Sequence, residues 1–118
     1  MQPSRPAELI RFLLECQALK FGDFTLKSGA KSPFFIDLGH IRTGRQLDIL
    51  GDFMAEAIKD RFPETTIIFG PAYKGIALAV AAATSYWRLS GRDLGVVFDR
   101  KEAKVHGEGG SYIGTQPT

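Results

Sequence analysis

The chain has 118 residues, 44% of them hydrophobic, which suits one globular domain and is short for two. Its formal net charge is +2, from 15 Lys and Arg against 13 Asp and Glu, which argues against a nucleic-acid-binding or membrane-surface protein. No apolar run approaches the ~20 residues of a membrane span, the N-terminal residues lack the pattern of a signal peptide, and the single Cys16 has no disulfide partner within the chain. We therefore expect a cytoplasmic protein.

The first third of the chain has the pattern of an amphipathic helix followed by a hairpin. Leucine and isoleucine recur at helical spacing behind Pro6, which predicts a helix from about Pro6 to Leu19. Two runs that contain aromatic and branched residues, FTLKSG and PFFID, flank Gly29 and predict a two-stranded hairpin with Lys27 near its turn. We assign residues 1–42, approximately, to an N-terminal helix and a hairpin hood.

The remainder of the chain alternates predicted helices and strands. Thr43 and Gln46 have capping-box spacing ahead of a helical apolar ladder that stops at Pro63. The short apolar runs TIIFG and LGVVF flank an alanine-rich helix from about Ile76 to Leu89, closed by Gly91. Two such runs around one helix predict a βαβ unit whose parallel strands are covered on both faces. The predicted fold class is α/β, with a Rossmann-like parallel sheet core in residues 43–118.

Two turns of this core are candidates for a ligand site. Ligands of open parallel sheets gather at the carboxyl ends of the strands, which here are the turns after Phe69 and Phe98. The first turn, GPAYKGIA, places Lys74 at the start of a helix, where free N–H groups and the helix dipole favour an anion. The alternative interpretation is a solvated lysine in a tight turn.

The second turn, FDRKEAKVHGEGG, combines glycines with balanced charges, which favours a mobile lid that closes over phosphates rather than a polybasic patch. A solvated loop with incidental charges is the alternative. The segment GEGGSY lacks the last glycine of a dinucleotide-binding motif. Neither His40 nor His106 has a second ligand at metal-binding spacing, so no protein-held metal is predicted, and His40 is interpreted as structural.

Three blocks in order, LKFGDFTLKSGAKSPFF, FGPAYKGIALA and RKEAKVHGEGG, resemble the orotate phosphoribosyltransferases and cover most of the chain from Leu19 to Gly114. The resemblance implies a type I phosphoribosyltransferase fold and Mg²⁺-dependent transfer of ribose 5-phosphate from phosphoribosyl diphosphate to orotate. The products would be orotidine 5'-monophosphate and pyrophosphate, in pyrimidine biosynthesis. The resemblance also implies a homodimer, in which the catalytic loop, about residues 99–114, closes over the neighbouring subunit's active site.

The same resemblance assigns roles to individual residues. Lys27, Tyr73 and Lys74 would contact phosphoribosyl diphosphate, through which Mg²⁺ would mainly be bound. Phe35 and Ile36 would line the orotate pocket, although the family often has a second aromatic residue where Ile36 stands. The loop would supply four residues for both diphosphate binding and catalysis: Arg100, Lys101, Lys104 and His106.

One part of the family pattern has no counterpart in the chain. The phosphoribosyl diphosphate motif, a strand ending in two acidic residues and a Thr- and Gly-rich loop, should follow the catalytic loop, but the sequence ends at GTQPT. We therefore expect residues 1–118 to form one incomplete domain that lacks its C-terminal half and is inactive, or nearly so, alone. The alternatives are a noncatalytic ligand-sensing or oligomerisation module of the same fold, and an unrelated anion-binding α/β protein.

Overall fold

The computed structural model describes residues 5–101 and 112–116. In this part of the chain, the secondary-structure elements follow one another as α1 (Pro6–Glu15), β1 (Leu19–Thr25), β2 (Lys31–Ile36), a 3-10 turn (Leu38–His40), α2 (Gly44–Arg61), β3 (Ile67–Gly70), α3 (Lys74–Ser90), β4 (Gly95–Asp99) and β5 (Tyr112–Gly114). The α/β class predicted from the sequence is therefore confirmed. None of the helices in these described ranges is long and apolar enough to cross a membrane.

The first helix is shorter than predicted. α1 ends at Glu15 because the chain turns at Gln17, whose φ of 65° is left-handed and cannot continue a helix. The predicted end at Leu19 is wrong, since Leu19 begins β1. β1 and β2 pair antiparallel, which confirms the hairpin, and Lys27 lies in its turn.

α2 begins where the sequence predicts. The Thr43 side chain accepts the Gln46 N–H at 3.1 Å, and the Gln46 side chain accepts the Thr43 N–H at 3.1 Å, which completes the capping box. The helix ends at Arg61, just ahead of Pro63. Its Gly51 allows a close approach to α3, since a Cβ there would lie 2.6 Å from the Ala81 carbonyl oxygen and from Ser85 Oγ.

α3 connects two parallel strands, as the βαβ prediction requires. It begins at Lys74, two residues before the predicted start at Ile76, and Gly91 closes it with a left-handed φ of 77°. β3 and β4 pair in parallel from Ile67 opposite Gly95 to Gly70 opposite Phe98. Phe69 is still 49% exposed, so the expected coverage of both sheet faces is incomplete at this position in the described part of the chain.

β5 is a strand that the sequence analysis did not anticipate. It pairs antiparallel with β4, and Asp99 lies opposite Tyr112. Asp99 and Tyr112 therefore both lie at the carboxyl end of β4. That end is also the carboxyl end of β3, where the candidate site lies.

Two apolar clusters hold these elements together. The first joins the N-terminal segment to α2 and contains Phe12, Ala18, Ile41 and Leu50. The second joins α2, α3 and the strand region through Ala55, Ala83, Tyr86 and Leu94, with Ile68 and Val96 packed against it. The N-terminal segment and the strand region are therefore both packed against α2.

Candidate functional site

The turn between β3 and α3 is the centre of the candidate site. β3 ends at Gly70 and α3 begins at Lys74, so Pro71, Ala72 and Tyr73 alone form the connection. Gly70 is required by the packing, because a Cβ there would lie 2.8 Å from Ala79 Cβ and would also collide with the Gly75 carbonyl. The Gly75 N–H donates to the Pro71 carbonyl at 3.0 Å, which keeps the turn compact.

This turn presents an aromatic and a cationic side chain to solvent. Tyr73 is 71% exposed, and the side chain of Lys74 is 73% exposed. Tyr73 is the N-cap of α3 and makes no side-chain hydrogen bond to the helix, so no N-cap side chain covers the first N–H groups. The helix N-terminus and the Lys74 ammonium together favour an anion at this position.

The end of β4 contacts the same turn. Lys101 Nζ lies 6.0 Å from the centre of the Tyr73 ring, within the range of a cation–π interaction. Asp99 Oδ1 accepts the Ala72 N–H at 2.6 Å. Arg100 Nε is buried and has no hydrogen-bond partner within the described residues. The structure thus brings Tyr73, Lys74 and Lys101 to one end of the sheet.

Asp37 is a site neighbour that the sequence analysis missed. Its Oδ1 accepts the Gly39 N–H at 2.9 Å and lies 3.7 Å from Lys74 Nζ. Its Oδ2 lies 3.5 Å from Nε2 of His40, the histidine interpreted as structural. The Gly39 hydrogen bond is the largest cause that holds the pKa of Asp37 below its ordinary value; burial opposes it, and the charges of Lys74 and His40 lower the pKa further. The available signal was the position of Asp37 directly after the aromatic run PFFI.

The remaining predicted residues lie elsewhere on the hood or outside the described ranges. Lys27 is exposed in the hairpin turn, and no hydrogen bond or ion pair of the described residues joins it to residues 71–74. Phe35 and Ile36 on β2 are 42% and 49% exposed, and the Phe35 ring lies 5.7 Å from that of Phe24. Lys104 and His106 are not among the described residues, so their roles stay predictions.

A metal ion held by protein side chains needs several ligands close together. Across 5–101 and 112–116, no three His, Cys, Asp or Glu side chains are grouped to hold a metal ion. Asp37 and Asp99 are each already engaged with a backbone N–H.

No family model matches the chain. Curated orotate phosphoribosyltransferases do match: those of Klebsiella pneumoniae (strain 342) and Salmonella newport (strain SL254) are each 52% identical to it over 108 residues, or 92% of the chain. The same alignments cover 51% of each relative. The chain thus spans about half the length of the curated relatives that it matches.

Solved structures agree with the sequence matches. The orotate phosphoribosyltransferase of Francisella tularensis superimposes with a TM-score of 0.76 at 42% identity, over 92% of this chain and 50% of that one. The Mycobacterium tuberculosis orotate phosphoribosyltransferase gives a TM-score of 0.60 at 25% identity, over 93% and 59%. Leishmania donovani UMP synthase, at 23% identity, a TM-score of 0.68 and coverage of 98% and 23%, supports the fold alone. The chain is a homologue of the orotate phosphoribosyltransferases and has their α/β fold over the part that it spans.

Proposed function

We propose that the chain supplies the diphosphate end of an orotate phosphoribosyltransferase active site. The reaction would transfer ribose 5-phosphate from phosphoribosyl diphosphate to orotate and release pyrophosphate. The observation that carries the proposal is the uncapped start of α3, where Lys74 and Tyr73 are exposed and Lys101 approaches from β4. The 52% identity to curated enzymes of this activity supports the same assignment.

The proposed chemistry needs cations at this position. Cleavage of the anomeric C–O bond leaves positive charge on the ribose and negative charge on the departing diphosphate. Fixed cations that contact the diphosphate more strongly in the transition state than in the ground state accelerate that step. Lys74 and Lys101 would do so from the described residues, together with Arg100, whose Nε has no hydrogen-bond partner among those residues. Lys104 and His106 are proposed to complete the set on the loop.

Two hood segments are proposed to complete substrate binding. Phe35 and Ile36 would provide an apolar face for the orotate ring, since both are substantially exposed on β2. Lys27 would contact the diphosphate from the hairpin turn. Mg²⁺ would be held mainly by the diphosphate, because the described residues offer no cluster of ligands, and it would neutralise part of the phosphate charge.

The proposal extends to assembly and cell compartment. A homodimer that shares its catalytic loops and a cytoplasmic location are proposed from the resemblance, and the free Cys16 suits a reducing compartment. Because the chain spans about half the length of its relatives, we propose little or no turnover by these 118 residues alone. A noncatalytic module of the same fold, which senses a ligand or supports oligomerisation, is the second candidate.

Binding and turnover measured side by side test the two candidates. Phosphoribosyl diphosphate with Mg²⁺ should bind saturably to the purified chain, as followed by isothermal titration calorimetry. Formation of orotidine 5'-monophosphate from added orotate should then be assayed on the same sample. Binding with turnover supports an enzyme and contradicts the noncatalytic module, whereas binding without turnover is the result that both candidates predict for these 118 residues alone. The absence of saturable binding would contradict the enzyme and a ligand-sensing module.

A further inference from the structure

The Asp99 carboxylate links the end of β4 to the turn that carries Tyr73 and Lys74. Its Oδ1 accepts the Ala72 N–H at 2.6 Å across 27 residues of sequence. Ala72 is 9% exposed, so its N–H has little access to water. When the acceptor of such an amide is removed, the folded protein loses stability, because the buried N–H group is left without a hydrogen-bond partner.

Two other hydrogen bonds of this turn are local. The Gly75 N–H donates to Pro71, and the Ile76 N–H donates to Tyr73, both within the turn and the start of α3. Neither bond fixes the turn relative to β4. Asp99 supplies that tie, and Lys101, two residues further on, adds a second contact through the Tyr73 ring at 6.0 Å.

We propose that Asp99 is a positioning residue, which acts as a hydrogen-bond acceptor to fix the turn and thereby place Tyr73 and Lys74 for an incoming diphosphate. The ligand in this statement rests on the proposed function, whereas the tie between Asp99 and Ala72 does not. The negative charge of Asp99 opposes an anion nearby, so its contribution comes from the acceptor oxygen. The acceptor and the charge are separable by substitution.

Asp99→Asn keeps a carbonyl oxygen and removes the charge, while Asp99→Ala removes both. Asp93→Ala is the matched control, because Asp93 is exposed and precedes the opposite end of the same strand. Hydrogen exchange at the Ala72 amide, measured by NMR, reports the tie directly. Calorimetric titration with pyrophosphate, with and without Mg²⁺, measures the affinity that depends on the placement of Tyr73 and Lys74.

Parent, Asp99→Asn and Asp93→Ala should protect the Ala72 amide equally, whereas Asp99→Ala should lose about tenfold in protection. Pyrophosphate affinity should fall about five- to tenfold in Asp99→Ala alone. The proposal is overturned if Asp99→Asn is as damaging as Asp99→Ala, since charge would then be the contribution. It is equally overturned if Asp99→Ala matches the parent in both measurements.

Two further outcomes remain decisive. If the parent fails to bind pyrophosphate, the proposed function fails, and Ala72 protection still decides whether Asp99 fixes the turn. If Asp99→Ala does not fold, the parent alone provides the test. Slow exchange of the Ala72 amide in the parent, comparable to that of the paired amides of β3 and β4, supports the tie, and exchange as fast as that of exposed amides overturns the proposal.

Discussion

Lys74 Nζ lies 3.7 Å from Asp37 Oδ1, so a residue at the end of the hairpin hood contacts the first residue of α3. Both side chains are exposed, at 73% and 40%, and an ion pair of this kind adds little to folding stability. A multiply charged anion that binds Lys74 must either displace the Asp37 carboxylate from this lysine or share the lysine with it. The pair therefore couples the hood to occupancy of the proposed diphosphate site.

Removal of the Lys74 ammonium should weaken anion binding specifically. We expect Lys74→Ala to reduce pyrophosphate affinity about tenfold, since a charge-assisted contact to phosphate is lost from the start of α3. Lys59→Ala is the control, because it removes an equal charge from the last turn of α2, which precedes the opposite end of β3. Calorimetric titrations of both variants make the comparison. Equal losses in the two would mean that only the overall charge of the protein matters.

Neutralising Asp37 should have the opposite effect. In Asp37→Asn, Lys74 no longer has a competing carboxylate, so pyrophosphate should bind about two- to fivefold more tightly. Asp23→Asn, an exposed change on β1, serves as the control for net charge. Calorimetric titrations of both variants with pyrophosphate, at low and at moderate salt, measure the difference in affinity. Weaker binding in Asp37→Asn would show that the carboxylate positions Lys74 instead of competing for it.

The titration of Asp37 should follow the order of the effects that lower its pKa. The carboxyl should titrate below its ordinary value of 3.8, as measured by carbon NMR of the side chain. Lys74→Ala should raise the midpoint only in part, because the Gly39 hydrogen bond is the larger cause. Since the folded pKa is lowered, any stability that Asp37 contributes is present above pH 3.8 and is lost as the pH falls through the folded pKa. A midpoint at or above 3.8 would contradict the geometry.

Gly51 should tolerate no side chain in the contact between α2 and α3. A Cβ at Gly51 would lie 2.6 Å from Ala81 O and Ser85 Oγ, so Gly51→Ala should cost about 1–3 kcal/mol of unfolding free energy. Gly44→Ala, in the first turn of the same helix, meets nothing within 4 Å and should be neutral or slightly stabilising. Urea denaturation of both variants tests the difference. A neutral Gly51→Ala would mean that the helices separate at little cost.

Local sequence patterns predicted most of the fold for identifiable reasons. The capping box at Thr43 and the left-handed Gly91 are short-range signals, and the structure uses both. The early end of α1 depends on Gln17 in a left-handed conformation, which its residue type does not signal. β5 forms because Tyr112 pairs with Asp99 on β4, and no local sequence pattern specifies this pairing.

The site was predictable to a similar extent. Lys74 stood out because it follows a predicted strand and begins a predicted helix, whereas Tyr73 was assigned only by the family resemblance. The carboxylates of Asp37 and Asp99 were not singled out, since their contacts with Lys74 and Ala72 form only when distant segments pack together. The residues next to Asp37 and Asp99 in the sequence give no indication of these tertiary contacts.

The central claim is that a diphosphate binds where β3 meets α3. Titration of the isotope-labelled chain with pyrophosphate and Mg²⁺, followed by amide NMR, tests it most directly. We expect saturable shifts centred on the amides of Tyr73, Lys74 and Gly75, and these shifts should weaken in Lys74→Ala. Shifts that are absent from those three amides, or that spread evenly over the exposed lysines, would contradict the claim.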